Sequence, residues 1–189
     1  MGDTGRMADV SVRPALPADA PAIGTIHAAT MRLAVEAGLR EALDPEIAAG
    51  FDPAGFAGQW EEAIATPPSP LHRVLTALDR ATVVGFAAIA PVDEEVRAGL
   101  DADPPEAAIL ALEVDPARCR SGHGSRLLAA CVDILRQQNA GHVMTWAVQG
   151  DDPRARFLSS AGFAPLGMRR KWQVGSGTVS QIAWHAALD

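Results

Sequence analysis

The stretch LEVDPARCRSGHGSRLL, residues 112–128, decides how this chain folds. An apolar strand stops at Asp115-Pro116, and a loop bearing arginines and glycines opens directly into a helix. The apolar positions of that helix, Leu127, Leu128, Cys131, Val132 and Leu135, share one face. The first amide N–H groups of a helix have no internal acceptor, so they point out of its end and can receive an anion. Gly122 and Gly124 remove Cβ atoms where a phosphate would approach the main chain. Charge-assisted hydrogen bonds of about 1.5–3 kcal/mol each exceed the roughly 0.3–1 kcal/mol of a helix dipole, so an amide cradle is the main attraction. Arg118, Arg120 and Arg126 against Asp115 give the loop 115–126 a net charge of +2 in a chain of −7. Two readings stay open from these residues: a cradle for a polyphosphate, or a glycine cap on a solvated arginine loop. No Gly-Lys-Ser/Thr follows, so it is not a Walker loop. With two glycines and no acidic residue closing the strand 142–148, it is a poor dinucleotide fingerprint.

Outward from this stretch, AAILALEV at 107–114 is a near-continuous apolar run, the pattern of a strand buried on both faces. Strand 107–114, helix 122–139 and strand 142–148 imply a parallel pair joined by a right-handed crossover. Ahead of them the sequence predicts a short strand 10–13, a helix capped by Asp19 and ending near Gly38, and broken helix over 41–65. A hairpin of strands 72–78 and 82–90 turns at Asp79-Arg80, and an acidic, proline-bearing surface loop covers 91–105. After them come a helix 154–161 stopped by Gly162 and a closing hairpin 163–187. The expected fold is α/β (α+β): a mixed, mostly antiparallel sheet of six to seven strands with a central parallel pair and helices on both faces. Residues 1–9 read as a flexible leader and 10–189 as one domain.

The chain has 189 residues, 48% of them hydrophobic and 21% charged, enough to close a core. Its charge of −7 argues against broad attraction to nucleic acid or anionic lipid. Cys119 and Cys131 are too few for a disulfide framework and suit a reducing, cytoplasmic setting. No apolar run reaches the length of a membrane span, and no signal peptide is expected. Of sixteen basic residues only Lys171 is a lysine, and tyrosine is absent altogether.

Val114-Asp115-Pro116 followed by Gly122-His123-Gly124-Ser125-Arg126-Leu127-Leu128, with a second block from Asp151 to Gly162-Phe163, resembles the GCN5-related N-acetyltransferases (GNAT) over nearly the whole chain. That resemblance implies acetyl-CoA as donor. Leu112 and Val114 would offer main-chain groups to the pantetheine arm where their strand splays from 142–148, as a peptide adds to an open sheet edge. Arg120, Ser121, Gly122, His123, Gly124 and Ser125 would wrap the pyrophosphate, with Cys119 at the edge of the loop. Asp151 falls where the family often has an asparagine touching the coenzyme. Three residues depart from the pattern: Cys119 stands where the family prefers Arg or Gln, Arg120 where it usually has Gly, and Leu158 where many members carry a tyrosine that protonates the leaving thiolate.

Acyl transfer to an amine needs the neutral amine. For an amine of pKa ~10.4, deprotonation at pH 7 costs about 4.6 kcal/mol, so a base is expected. Glu113, the one charge in the run 107–114, is the leading catalytic residue; its other reading is a strand-end carboxylate paired with an arginine. His27 reads as a packed core histidine, Cys131 as core, and Cys119 as reactive only if the loop lowers its pKa. No spacing suggests a metal site. The amine acceptor would lie between the first helices and the final hairpin, lined from Met31, Arg32, Phe51, Phe56, Trp60, Trp172 and Trp184. Acidic residues near it faintly favour a cationic amine, and the final hairpin offers an apolar surface for a homodimer. Three functions compete: acetyl transfer from acetyl-CoA to a primary amine, a non-catalytic acyl-CoA-binding module that lost its acid, and a nucleotide-binding domain using the same loop.

Overall fold

The computed structural model describes residues 10–100 and 104–188, so the leader expected at 1–9 lies outside the described residues. Seven strands form one sheet: Val10–Pro14 (β1), Arg73–Asp79 (β2), Thr82–Pro91 (β3), Ala107–Val114 (β4), His142–Val148 (β5), Ala164–Val174 (β6) and Gly177–Ala187 (β7). Their order is β1-β2-β3-β4-β5-β7-β6. All neighbours run antiparallel except β4 and β5, the parallel pair the crossover requires. Helices Ala20–Leu39 (α1), Pro45–Ala48 (α2), Pro53–Ala65 (α3), Glu94–Ala98 (α4), His123–Gln137 (α5) and Asp152–Ser160 (α6) complete the order.

The sheet is covered on both faces because its strands alternate their side chains between two cores. Leu127, Leu128, Cys131 and Leu135 of α5 pack with Val84, Ala87, Ile109, Leu112 and Val143 on one face. Ile23 and Ile26 of α1 pack with Phe86, Ala88 and Ala111 on the other. α3 lies so close across α1 that a Cβ on Gly24 would sit 2.4 Å from the Pro53 carbonyl oxygen and 2.6 Å from the Ala57 nitrogen. No residue but glycine fits there without moving a backbone.

Several expectations need correction. Asp19 stands at the N-cap of α1 but its side chain accepts no bond from the amides of that helix. Instead it is buried, taking two bonds from Arg13 (2.7 and 2.9 Å) and one from the Leu16 amide (2.8 Å), because the Arg13 guanidinium is the stronger donor. The acidic loop 91–105 holds the short helix α4, with Glu94 and Glu95 in its first turn and Arg97 in its last, signs that suit the two helix ends. The β2–β3 turn falls at residues 80–81, one later than expected, with Arg80 at φ +57°. Strand β4 is not buried throughout. The register slips between Ala88 and Ile89 of β3, and Leu110 is left without a cross-strand partner in β3 and is 64% exposed. In the final hairpin the outer strand β6 exposes Arg169 and Lys171, while the Arg170 guanidinium lies over the Trp146 ring, 4.4 Å from its centre.

Candidate functional site

The parallel ladder between β4 and β5 has three rungs, Ala107↔Val143, Ala108↔Met144 and Ile109↔Thr145, and then stops. Strand β4 runs on to Val114 and β5 to Val148 without pairing, so the sheet opens along its own middle. Which main-chain groups face the opening follows from one bond. The Asp115 N–H donates to the Val84 carbonyl of β3 (2.9 Å), and alternate residues of a strand face opposite edges, so Leu112 and Val114 turn their N–H and C=O towards the gap. Near the last rung the Thr145 hydroxyl donates to the Ile109 carbonyl (2.9 Å). Further along, a guanidinium N–H of Arg154 donates to the Leu112 carbonyl.

The loop 115–122 leads from the end of β4 to the start of α5. Asp115 caps a single turn by accepting from the Ala117 amide (2.9 Å). Arg120 then takes φ +64° and Gly122 φ +79°. Arg120 thus holds a left-handed backbone that suits glycine, at a cost of about 1–2 kcal/mol. The α5 amides open outward next to exposed Arg120, Ser121, Gly122 and Ser125, while Gly124 is half-buried. A Cβ on Gly122 would meet Arg126 Nη1 at 2.9 Å. A Cβ on Gly124 would lie 3.7 Å from Phe157 and from Val114, ordinary van der Waals contacts.

The three loop arginines do different work. Arg118 reaches away to Asp79 (3.0 Å), and Arg126 turns back to the Ser121 carbonyl (3.0 Å), bracing the loop. Arg120 is left exposed at its rim. His123, the first residue of α5, is buried with its Nδ1 unpartnered. Burial pushes the Cys119 thiol above its ordinary value and Asp115 adds to this, with Arg120 opposing. The loop therefore does not lower the thiol's pKa, the condition on which a reactive Cys119 depended. Cys131, inside the α5 core, is pushed up to about 12 by burial and is inert.

Glu113 stands on the face away from Leu112, with Phe86 as its cross-strand neighbour. Its carboxylate is half-buried and 3.4 Å from Arg154 Nη2, so both readings of this residue meet in one place: a carboxylate beside the gap, and an arginine pair. Phe86 packs edge-on against Trp60 (4.9 Å between ring centroids) and His27 (5.6 Å), and Phe56 lies tilted against His27 at 4.5 Å. The Trp60 indole N–H donates to His27 Nδ1 (3.0 Å), which places the imidazole proton on Nε2. Burial holds His27 below the ordinary histidine pKa, with a smaller upward pull from Glu113. The acceptor lining expected from the sequence is not one surface. Phe56 and Trp60 surround His27, Phe51 and Trp172 pack with Val35, Val148 and Val179, and Trp184 lies on the α5 face. Met31 is exposed, and Arg32 pairs with Glu36 (3.1 Å).

Asp151 caps α6 by accepting from the Arg154 amide (3.1 Å), and Leu158, one turn later, is buried in the α5-side core. Between α5 and α6 a groove of about 380 Å³ opens next to the loop, lined by Ser125, Leu128, Val132, Asp133 and Phe157 among others. Arg154 was missed by sequence reasoning. The signal was present: it lies three residues after the capping Asp151 and four before Leu158, on the helix face that meets the sheet. Among the described residues no group of three or more His, Cys, Asp or Glu could hold a metal ion, and no helix is long and apolar enough to cross a membrane.

No curated protein matches this sequence. Among solved structures, a ribosomal-protein-alanine N-acetyltransferase from Brucella melitensis superposes with a TM-score of 0.68 at 18% identity, covering 94% of this chain and 99% of its own. The yncA protein of Salmonella typhimurium, determined with its cofactor acetyl-CoA, gives 0.64 at 18% identity over 96% and 95%. The paiA N-acetyltransferase of Thermoplasma acidophilum, in complex with coenzyme A, gives 0.67 at 15% identity over 95% and 99%. These likenesses establish the fold: a mostly antiparallel seven-stranded sheet opened at one parallel pair. The sequence model of the acetyltransferase (GNAT) family matches residues 37–163, more than half of the sequence, and the chain belongs to that family.

Proposed function

We propose that this protein is an acyl-CoA-dependent N-acyltransferase that moves an acetyl group from acetyl-CoA directly to a primary amine of a small molecule or peptide. The observation that carries this reading is the parallel ladder that ends at Ile109↔Thr145, leaving an open strand edge that leads straight to the mouth of α5. The donor's amide-bearing arm would pair with Leu112 and Val114 as a short extra strand, and its diphosphate would lie on the α5 amides, with Arg120, Ser121 and Ser125 around it and Cys119 at the edge. Asp151, by capping α6, holds that helix beside the arm, and the buried Leu158 fixes its rotation. The groove beside Ser125 is large enough for the nucleoside end.

In the reaction the amine nitrogen bonds to the acetyl carbon, the C–S bond breaks, and sulfur leaves with the electron pair. Glu113 takes the proton that the amine gives up, directly or through one water. A thiol has a pKa near 8.5, so its thiolate is a tolerable leaving group and water can return the proton. The lone cysteines suit a reducing compartment, and the reading places the protein in the cytoplasm.

A second reading, a non-catalytic acyl-CoA-binding module, is favoured by one observation. Leu158 is 3% exposed in the core and the chain contains no tyrosine to act as acid. Calorimetric titration with acetyl-CoA, CoA and ATP tests the donor, and a thiol-release screen over amines, amino acids, polyamines and peptides tests turnover. Binding of acetyl-CoA with release against one amine class supports the transferase. Binding with no release across the screen supports the module, and binding of ATP without CoA overturns both.

A further inference from the structure

We propose that Arg154 is a positioning residue that holds the gap-facing Leu112 carbonyl, and that the incoming acyl donor must displace it from that carbonyl. This rests on reading the β4–β5 gap as the donor site.

The argument begins with main-chain accounting. Beyond Ile109 the gap-facing carbonyl of Leu112 has no strand partner, and a poorly solvated carbonyl without a donor is costly. Arg154 supplies the donor. Its guanidinium bonds the Leu112 carbonyl through one nitrogen, and the other lies 3.4 Å from Glu113 Oε1. The arginine side chain is 17% exposed and the glutamate 23%, so this bridge is sheltered rather than a surface pair. Two features of α6 aim it there: Asp151 fixes the Arg154 amide at 3.1 Å, and the burial of Leu158 sets which helix face meets the sheet.

A donor amide that pairs with the Leu112 carbonyl needs the place the guanidinium holds. A charge-assisted bond is stronger than the neutral amide bond that would replace it, so displacement subtracts from donor affinity. The arginine stem has enough rotatable bonds to leave without any main-chain movement. Once off Leu112 the guanidinium still has the Glu113 carboxylate, 3.4 Å away, as its remaining partner.

Titration of the full chain with CoA tests this in the wild type, Arg154→Met and Arg154→Lys. The methionine variant leaves Leu112 unpaired until CoA arrives and binds CoA about tenfold tighter, with lysine, a single donor in place of a fork, between the two. In the wild type the Arg154 side-chain 15N–1H signal, identified by its loss in Arg154→Lys, moves on saturation with CoA. This signal keeps the proposal testable if Arg154→Met fails to fold. CoA binding by Arg154→Met that is equal to wild type or weaker, or an Arg154 signal that CoA leaves unmoved, overturns the displacement and leaves the donor-site reading intact. A wild type that does not bind CoA overturns both.

Discussion

The two sides of strand β4 are built by different means. Towards the gap, the groups in question are main-chain amides and carbonyls drawn from residues 112–126, placed by a strand end, a capped turn and a helix start. Towards α1, His27, Phe56, Trp60, Phe86 and Glu113 come from four elements, and only side-chain packing brings them together. A main-chain site tolerates side-chain change but is sensitive to φ. A side-chain site tolerates small backbone change but depends on distant helix crossings. Substitutions that attack one mechanism should leave the other side standing.

The largest effect is expected at Gly122. Valine there would meet both φ +79° and the Arg126 guanidinium, so the α5 amides would lose their outward presentation. We expect CoA affinity to fall at least about a hundredfold, as loss of two charge-assisted bonds implies. The Trp60 environment, read by tryptophan fluorescence, should stay that of the wild type. An affinity within threefold of wild type would mean that the loop is only a helix cap.

Gly24 is the counterpart on the other side. Alanine there forces α3 away from α1, because the obstacles are the backbone atoms of Pro53 and Ala57. Overpacking of this kind costs about 3 kcal/mol. Urea unfolding should show that loss, and the His27–Trp60 contact should loosen while CoA binding changes little. If CoA binding fell as far as stability, the two sides would be mechanically coupled.

This contrast also explains what could be read from the residues alone. Strand, loop and helix over 107–139 were legible because each step is local: an apolar run, a proline stop, glycines, then 3.6-residue periodicity. The opening of the sheet was legible only through the family resemblance, since nothing in VMTWAV says that pairing ends at Thr145. Leu110 was misjudged because a bulge is invisible in an apolar run. Asp19 was misjudged because its real partner, Arg13, lies outside its own helix. The acceptor side was least legible. His27 and Trp60 stand 33 residues apart, and whether aromatic residues form a core or a pocket depends on a helix crossing set by Gly24.

A smaller effect is expected at Asp19, which joins α1 to β1. The Arg13 hydrogen bonds hold its carboxyl below the ordinary aspartate value, against the cost of burial. A lowered carboxyl pKa adds stability that is complete above the unfolded value of about 3.9 and is lost as pH falls through the folded one. Asp19→Asn should therefore cost about 2 kcal/mol at pH 7, where the charged pair is intact. Its stability should then change less than that of the wild type on acidification below about pH 4. Parallel acid curves for the two proteins would show that the Arg13 pair adds nothing.

The smallest effect, and the one that best tests the side-chain character of the α1 face, concerns His27. Burial lowers its pKa, with Glu113 pulling weakly the other way, and the Trp60 indole occupies the nitrogen that would have to take up a proton. For a histidine depressed in the fold, the unfolded chain binds the extra proton first. Stability should thus rise with pH up to the unfolded value of about 6.5 and fall on acidification below it. His27→Gln keeps an acceptor for the indole N–H but cannot titrate, so its unfolding midpoint in urea should stay flat between about pH 5 and pH 7 where the wild type declines. Trp60→Phe removes the indole N–H and costs about 1 kcal/mol at neutral pH. It also frees Nδ1 for a proton, so the decline on acidification should shrink. The two variants separate the causes. If His27→Gln declines like the wild type, the slope belongs to other groups. If Trp60→Phe declines as steeply as the wild type, burial alone keeps His27 neutral, and the indole bond serves only to orient the ring beside Glu113.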